Sequence, residues 1–127
     1  MMRAPVIPVL GYDDVGEAAK WLCQAFGFRE RLRIGDHRIQ LHVGDGAVVL
    51  TDHGAAGGSV MVRVEDADAH HERAAQNGAT IIAAPTDYPY GERQYSAEDL
   101  AGHRWTFSQS IADVDPADWG GEAVDLG

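Results

Sequence analysis

A strand, a capped helix and a closing glycine occur twice along this chain, and that repetition narrows the possible folds more than any other feature. The first pass opens with the apolar run Val6-Ile7-Pro8-Val9-Leu10 and turns at Gly11-Tyr12-Asp13-Asp14. Val15, Ala18, Ala19, Leu22, Ala25 and Phe26 then recur at helical spacing and make one apolar face. Asp14 is placed to accept from the free N–H groups of the first turn, with Glu17 three residues on, and Gly27 stands where a left-handed cap closes a helix. In the second pass Val60, Val62 and Val64 alternate as in a half-buried strand, and Asp66 starts a helix with Ala67, Ala74 and Ala75 as a small-residue face. Gly78 ends it before Ala79-Thr80-Ile81-Ile82-Ala83. Asp14 and Asp66 are 52 positions apart, Gly27 and Gly78 are 51. This is a duplicated supersecondary unit, and two copies are too few for a solenoid.

More strands follow the first helix, over Arg29 to Ile34, Arg38 to Val43 and Ala47 to Asp52. Asp45-Gly46 is the strongest turn signal, and a two-residue Asp-Gly hairpin favours a type I′ turn. That register sets Val43 opposite Val48, His42 opposite Val49, Leu41 opposite Leu50 and Gln40 opposite Thr51. Opposite residues share a face. Leu41, Val43, Val48 and Leu50 therefore pack on a helix, while Gln40, His42, Val49 and Thr51 are left for solvent or a ligand. By the same parity Trp105 and Phe107 belong to the core, and Ser59, Met61 and Arg63 lie on the face opposite the valines.

The 127 residues suit one α+β domain able to build its own core. A formal net charge of −10, with Lys20 the one lysine, argues against nucleic-acid binding, which selects for clustered cations. Cys23, the single cysteine, supplies neither an internal disulfide nor a cysteine metal cluster. No apolar run approaches the ~20 residues of a membrane span, and Met1-Met2-Arg3-Ala4-Pro5 lacks a signal-like apolar segment, so a cytoplasmic location and no membrane partner are expected. Nucleophile elbows, phosphate-cradling loops and dinucleotide fingerprints are missing from the sequence.

Three groups of residues, in this order, resemble the vicinal oxygen chelate superfamily of glyoxalase I, bleomycin-resistance proteins and extradiol dioxygenases. They are Asp14 with Ala25-Phe26-Gly27-Phe28; Val64-Glu65-Asp66 with Asn77-Gly78-Ala79; and Tyr90-Gly91-Glu92-Arg93 followed by Asp99-Leu100-Ala101-Gly102-His103-Arg104-Trp105. Leu100 departs from the proline usual after that aspartate. The resemblance covers about Pro5 to Gln109 and implies two βαβββ modules, about 5–53 and 59–109, whose curved sheets enclose a cavity in a homodimer, followed by an acidic tail over 110–127. It also implies where metal-dependent relatives place their ligands, on the first and last strands of each module. Those positions fall on Ile7, Thr51, Ser59 and Thr106, and none brings a carboxylate or imidazole. Hydroxyls are weak donors beside the ligands a divalent catalytic metal takes, so no metal and no cofactor are expected. The exceptions considered are Asp52, reached by a shift of one residue, and His42 from the neighbouring strand.

Arg63, Arg93 and Arg104 suit a carboxylate or phosphate, or else pair with nearby Asp99, Glu92 or Glu65. Adjacent His70-His71 diverge by about 100° on a helix and read as solvent or helix-edge residues. The segment 110–127 holds five Asp or Glu and no Lys or Arg, and reads as an extended tail whose Trp119 packs on a neighbour. The expected activity is binding of a small organic molecule, lined by Ile7, Val9, Gln40, His42, Thr51, Ser59, Met61, Arg63, Arg93, Arg104 and Thr106. The alternative is an enzyme of lyase, isomerase or dioxygenase type, using a non-standard metal site or His42 as general base. An assembly module with a vestigial cavity is a third reading. The arginines favour an anionic ligand and the overall charge a cationic one.

Overall fold

The computed structural model describes residues 6–54 and 58–122; residues 1–5, 55–57 and 123–127 lie outside it. In the first half β1 (Val9–Gly11) and α1 (Val15–Phe26) precede β2 (Arg29–Ile34), β3 (Arg38–Val43) and β4 (Gly46–Thr51). In the second, β5 (Ser59–Arg63) and α2 (Ala67–Gln76) precede β6 (Thr80–Tyr88), β7 (Glu92–Glu98) and β8 (Arg104–Ser110), and a 3-10 turn follows at Pro116–Trp119. The sheets have the orders β1-β4-β3-β2 and β5-β8-β7-β6. Only β1 with β4 and β5 with β8 run parallel. The two halves thus repeat one topology, as the spacing of caps and glycines predicts.

The caps are where the sequence puts them. Asp14 Oδ1 accepts from the Glu17 N–H at 3.0 Å, and Asp66 Oδ1 from the Ala69 N–H at 3.0 Å. Gly27 closes α1 in the left-handed region. Arg73 of α2 reaches across to α1, its Nε donating to the Gln24 carbonyl at 2.9 Å and its Nη2 to that of Cys23 at 3.2 Å. A cation on the last carbonyls of a helix satisfies orphan acceptors and complements the dipole.

The β3–β4 register differs from the expected one. Val43 pairs with Gly46, His42 with Ala47, Leu41 with Val48, Gln40 with Val49, and Arg38 with Thr51. The turn is centred on Gly44-Asp45 instead of Asp45-Gly46. Gly44 takes φ +57°, and no residue other than glycine has positive φ among those described. A type I′ turn would force Asp45 to positive φ; a type II′ turn asks it only of its first residue, here a glycine. The slip is two residues, so every side chain keeps its expected face. The second half holds two further differences. β6 runs on to Tyr88 through Pro85, which a sheet tolerates because β6 is an edge strand. β7 carries only Tyr95 and Ala97 as core apolar residues and is held by its two flanking strands.

One core serves both halves: Leu22, Ala25 and Phe26 of α1, Leu41 and Leu50 of the first sheet, and Tyr95, Trp105 and Phe107 of the second form one buried cluster. Phe26 is its hub, with ring centroids 5.7 Å from Phe28, 5.6 Å from Trp105 and 4.8 Å from Phe107. A polar tie runs beside it. Asp99 accepts from the Tyr12 hydroxyl at 2.5 Å and the Trp105 indole N–H at 3.0 Å through Oδ2, and from the Ala101 and His103 N–H groups, each at 3.0 Å, through Oδ1. Among the described residues no helix is long and apolar enough to cross a membrane.

Candidate ligand site

Because each sheet turns one face to the shared core, its other face looks outward, away from the opposite sheet. The rows expected to line a cavity occupy these outward faces. On the first sheet they are Ile7, Val9, Gln40, His42, Val49 and Thr51, with Val9 paired to Val49 and Gln40 to the same residue on its far side. Ile7 and Val9 are exposed, whereas Thr51 is buried and its Oγ1 accepts from the His53 N–H at 3.3 Å. Gln40 Oε1 accepts from Arg31 Nη1 at 3.0 Å. His42 stands between Arg29 and Ala47, and its ring has no hydrogen-bond or ion-pair partner among the described residues.

On the second sheet the outward rows are Ser59–Arg104–Glu98, Met61–Thr106–Ser96 and Arg63–Ser108–Gln94. They carry a chain of hydrogen bonds that sequence reasoning did not find. Ser96 Oγ and Thr106 Oγ1 are 2.9 Å apart, Gln94 Nε2 donates to Ser108 Oγ at 3.1 Å, and Ser108 Oγ donates to Glu92 Oε1 at 2.7 Å. At its ends Tyr90 donates its hydroxyl proton to Gln94 Oε1 at 3.2 Å, and Arg63 Nη1 lies 3.1 Å from Glu92 Oε1. Glu92, Gln94, Ser96 and Ser108 alternate with Tyr95, Ala97 and Phe107, so the period-2 pattern was the available signal.

Arg93 does not join this group. It points to the helix side of the sheet, where its Nη1 is 3.0 Å from Asp68 Oδ2 of α2 and its Nε 2.5 Å from Asp87 Oδ1. One residue of parity separates it from Gln94. The four positions onto which the resemblance carries the metal ligands of relatives are not brought together either. Thr51 is paired with Gly11 and Thr106 with Met61. Ile7 stands four residues before Gly11, roughly 13 Å along an extended strand, and Ser59 two before Met61. Ile7 offers no donor, and the Thr51 and Thr106 hydroxyls are engaged in the bonds above. These residues do not fit a metal, and among the described residues no group of three His, Cys, Asp or Glu is close enough to hold one. Asp52 contacts its neighbour His53 at 3.3 Å.

A groove of about 900 Å³ separates the modules elsewhere, between Val6, Pro8 and the Val43–Val48 hairpin on one side and β5 on the other, with Phe26, Phe28, Trp105 and His70 at its floor. His70 is therefore not a helix-edge residue. Its ring bonds the Tyr95 hydroxyl, its Nε2 is 2.9 Å from the Phe26 carbonyl oxygen, and it lies 4.1 Å from the Phe107 ring. Burial holds its imidazole below the ordinary value, against the Phe26 hydrogen bond, which raises it, and with the Arg73 charge, which lowers it. A depressed histidine stabilises the fold above the unfolded value of about 6.5 and loses that contribution as pH falls. Thermal midpoints at pH 8 and pH 5 should accordingly diverge more in the native protein than in His70→Gln.

The profile of the Glyoxalase/Bleomycin resistance protein/Dioxygenase superfamily matches residues 6–107. Among solved structures, TioX from Micromonospora sp. ML1 is 33% identical, with a TM-score of 0.78 over 86% of this chain and 100% of that one. A glyoxalase/bleomycin resistance protein from Streptomyces sp. CB03234, 20% identical, has a TM-score of 0.70 over 81% of this chain and 97% of its own, a likeness of fold. An uncharacterised protein of Mycobacterium tuberculosis is 27% identical over 84% of this chain and 75% of its own length.

Proposed function

The chain belongs to the glyoxalase/bleomycin resistance protein/dioxygenase superfamily, and we propose that within it this protein binds a small organic molecule, without a metal, on the outward faces of its sheets. The observation that carries this reading is the chain of polar groups from Tyr90 to Arg63 on a sheet face that, among the described residues, no helix covers. Polar groups converging beside apolar Met61 are what a small-molecule site requires. Since the two outward faces look apart within one chain, a closed site is built by two copies, the Thr51 face of one meeting the Thr106 face of the other.

Support for the homodimer comes from the edges. β1 and β5 are both edge strands, with one side of the backbone unpaired. Around them lie the exposed apolar residues Val6, Ile7, Val9 and Met61, the last 64% exposed. Scattered apolar residues need no explanation, but a cluster on two open edges marks an interface. Val9→Glu should shift the protein from twice the chain mass to the chain mass in size-exclusion chromatography with light scattering. It should also weaken ligand binding at least tenfold while leaving the thermal midpoint of the monomeric fold within a few degrees, because Val9 is already 48% exposed. A native protein that runs as a monomer would remove the two-copy site.

The direct test of the reading is native mass spectrometry of protein purified from its host, looking for a retained organic molecule, together with metal analysis after growth in added Ni²⁺, Zn²⁺ or Fe²⁺. Stoichiometric metal would overturn the metal-free part. A sequestering role predicts that overexpression protects cells against bleomycin-like drugs, and unchanged sensitivity would count against it. Catalysis through His42 is the second reading, favoured by the place of that imidazole on the outward face. A general base needs a partner to set its tautomer, however, and none of the described residues holds this ring. Unchanged turnover in His42→Ala, on any substrate found, would eliminate that role.

A further inference from the structure

The described residues after β8, 111–122, do not form an extended tail. The N–H groups of Ile111 and Ala112 return to the Gly91 carbonyl at 2.9 and 3.2 Å, which turns the chain over the β6–β7 hairpin. Gly91 has φ +82°, and a β-carbon there would lie 2.2 Å from the Ala112 carbonyl oxygen, so this closure depends on a glycine. The 3-10 turn then sets Trp119 on the same chain instead of a neighbour: its ring meets Tyr90 edge-on at 5.5 Å, and Tyr90 stacks on Tyr88 at 5.4 Å with 12° between planes. The same Tyr90 donates to Gln94, the first member of the polar chain on the outward face. An aromatic wall therefore stands at one end of that chain, and the wall is completed by the C-terminal segment.

The charge beside the wall is mostly negative, with Arg63 as the cation paired to Glu92. Glu92 is only 15% exposed and fixed by Ser108, whereas its partner Arg63 is 68% exposed. Such a solvent-facing guanidinium is weakly held and can swing away, while the carboxylate stays. Asp113, Asp115, Asp118 and Glu122 of the returning segment add negative charge, with no Lys or Arg among residues 110–127. Aromatic faces attract cations, and more strongly where water is partly excluded. Arg93, which would have argued for an anion, is held on the other face by Asp68 and Asp87.

We infer that Trp119, Tyr90 and Tyr88 with Glu92 form a subsite for a planar cation, a flat ring carrying a positively charged nitrogen, and that the C-terminal segment is a wall of the ligand site. This rests on the outward face of the second sheet being the ligand face. The ring lies against the tyrosine and tryptophan side chains, and its nitrogen takes the place of Arg63 at Glu92.

Isothermal titration of the full chain with 9-aminoacridine, a planar cation, and 9-anthracenecarboxylate, a planar anion of similar size, tests the assignment. The cation should bind at least tenfold more tightly than the anion. Trp119→Ala should weaken the cation about tenfold and Trp119→Phe much less, while Glu92→Gln should erase the preference between the two probes. Trp119 is 41% exposed, so the alanine variant should melt close to the native protein, and the phenylalanine variant serves if it does not. No saturable binding of the cation, equal binding of the two probes, or an unchanged affinity in Trp119→Ala would each overturn the inference. Should a molecule carried from the host bind Trp119→Ala undiminished, the ligand face stands and the aromatic wall alone falls.

Discussion

Replacing Asp99 by alanine should cost about 3–5 kcal/mol of folding stability, because it orphans buried donors from both halves at once. The carboxylate accepts the Tyr12 hydroxyl, the Trp105 indole N–H and two backbone N–H groups, and is itself 6% exposed. A hydrogen bond to a charged acceptor contributes roughly 1.5–3 kcal/mol, and each donor left dry adds its own desolvation penalty. The thermal midpoint should fall by about 10 °C or more. Tyr12→Phe removes one donor and leaves the rest, so it should cost about 1–2 kcal/mol. The tie also has an alkaline limit. Burial, the hydrogen bond to Asp99 and the charge of Asp99 raise the Tyr12 phenol well above its ordinary value. A group raised in the folded state contributes stability below its unfolded value and loses it as pH climbs, so the native protein should weaken from about pH 10 upward and Tyr12→Phe should weaken less steeply. Chemical denaturation at pH 8 and pH 11 distinguishes them; parallel losses would place the alkaline limit elsewhere.

Phe26→Ala should cost about 3–5 kcal/mol, the usual range for deleting a buried aromatic ring. The ring belongs to α1 yet touches Trp105 and Phe107 of the second sheet, and His70 of α2 is 6.0 Å away in a near-parallel stack. Collapse cannot fill the space easily, because its walls come from two modules with their own sheets. The cavity should open toward the groove floored by Phe28 and Trp105, admitting solvent to the intermodule face and raising the binding of an apolar dye. The two variants share Trp105, whose indole N–H bonds Asp99 while its ring packs on Phe26. Residues with a shared partner couple, so the double variant should depart from additivity by more than 0.5 kcal/mol. Simple addition would show that the polar and aromatic ties act independently.

Much of the outward faces was legible because parity is robust. The Gly44-Asp45-Gly46 stretch contains both a Gly-Asp and an Asp-Gly turn, and sequence alone does not choose between them. Either choice leaves Leu41, Val48 and Leu50 inward and Gln40, His42 and Thr51 outward, since the two registers differ by an even step. Individual pairs are less robust. The resemblance carries ligand positions onto Ile7 and Thr51, but equivalence to a position in relatives does not fix adjacency between strands, and Thr51 pairs with Gly11. Arg93 failed on a single step of parity, and β7 was unreadable because its few apolar side chains give no run. Glu92, Gln94, Ser96 and Ser108 became a connected set only once β7 lay beside β8.

The duplicated helix signals, the inward and outward rows and the acidic surface are determined by the sequence itself, because capping, strand alternation and charge act within a few residues of the chain. Tertiary structure decided the rest. The two cores merged through Phe26 and Asp99, turning the polar faces apart, and the segment after β8 folded back until Trp119 reached Tyr90. Those outcomes depend on contacts between residues tens of positions apart, whose free energy comes from burying one surface against another, and no local pattern records which surface that will be.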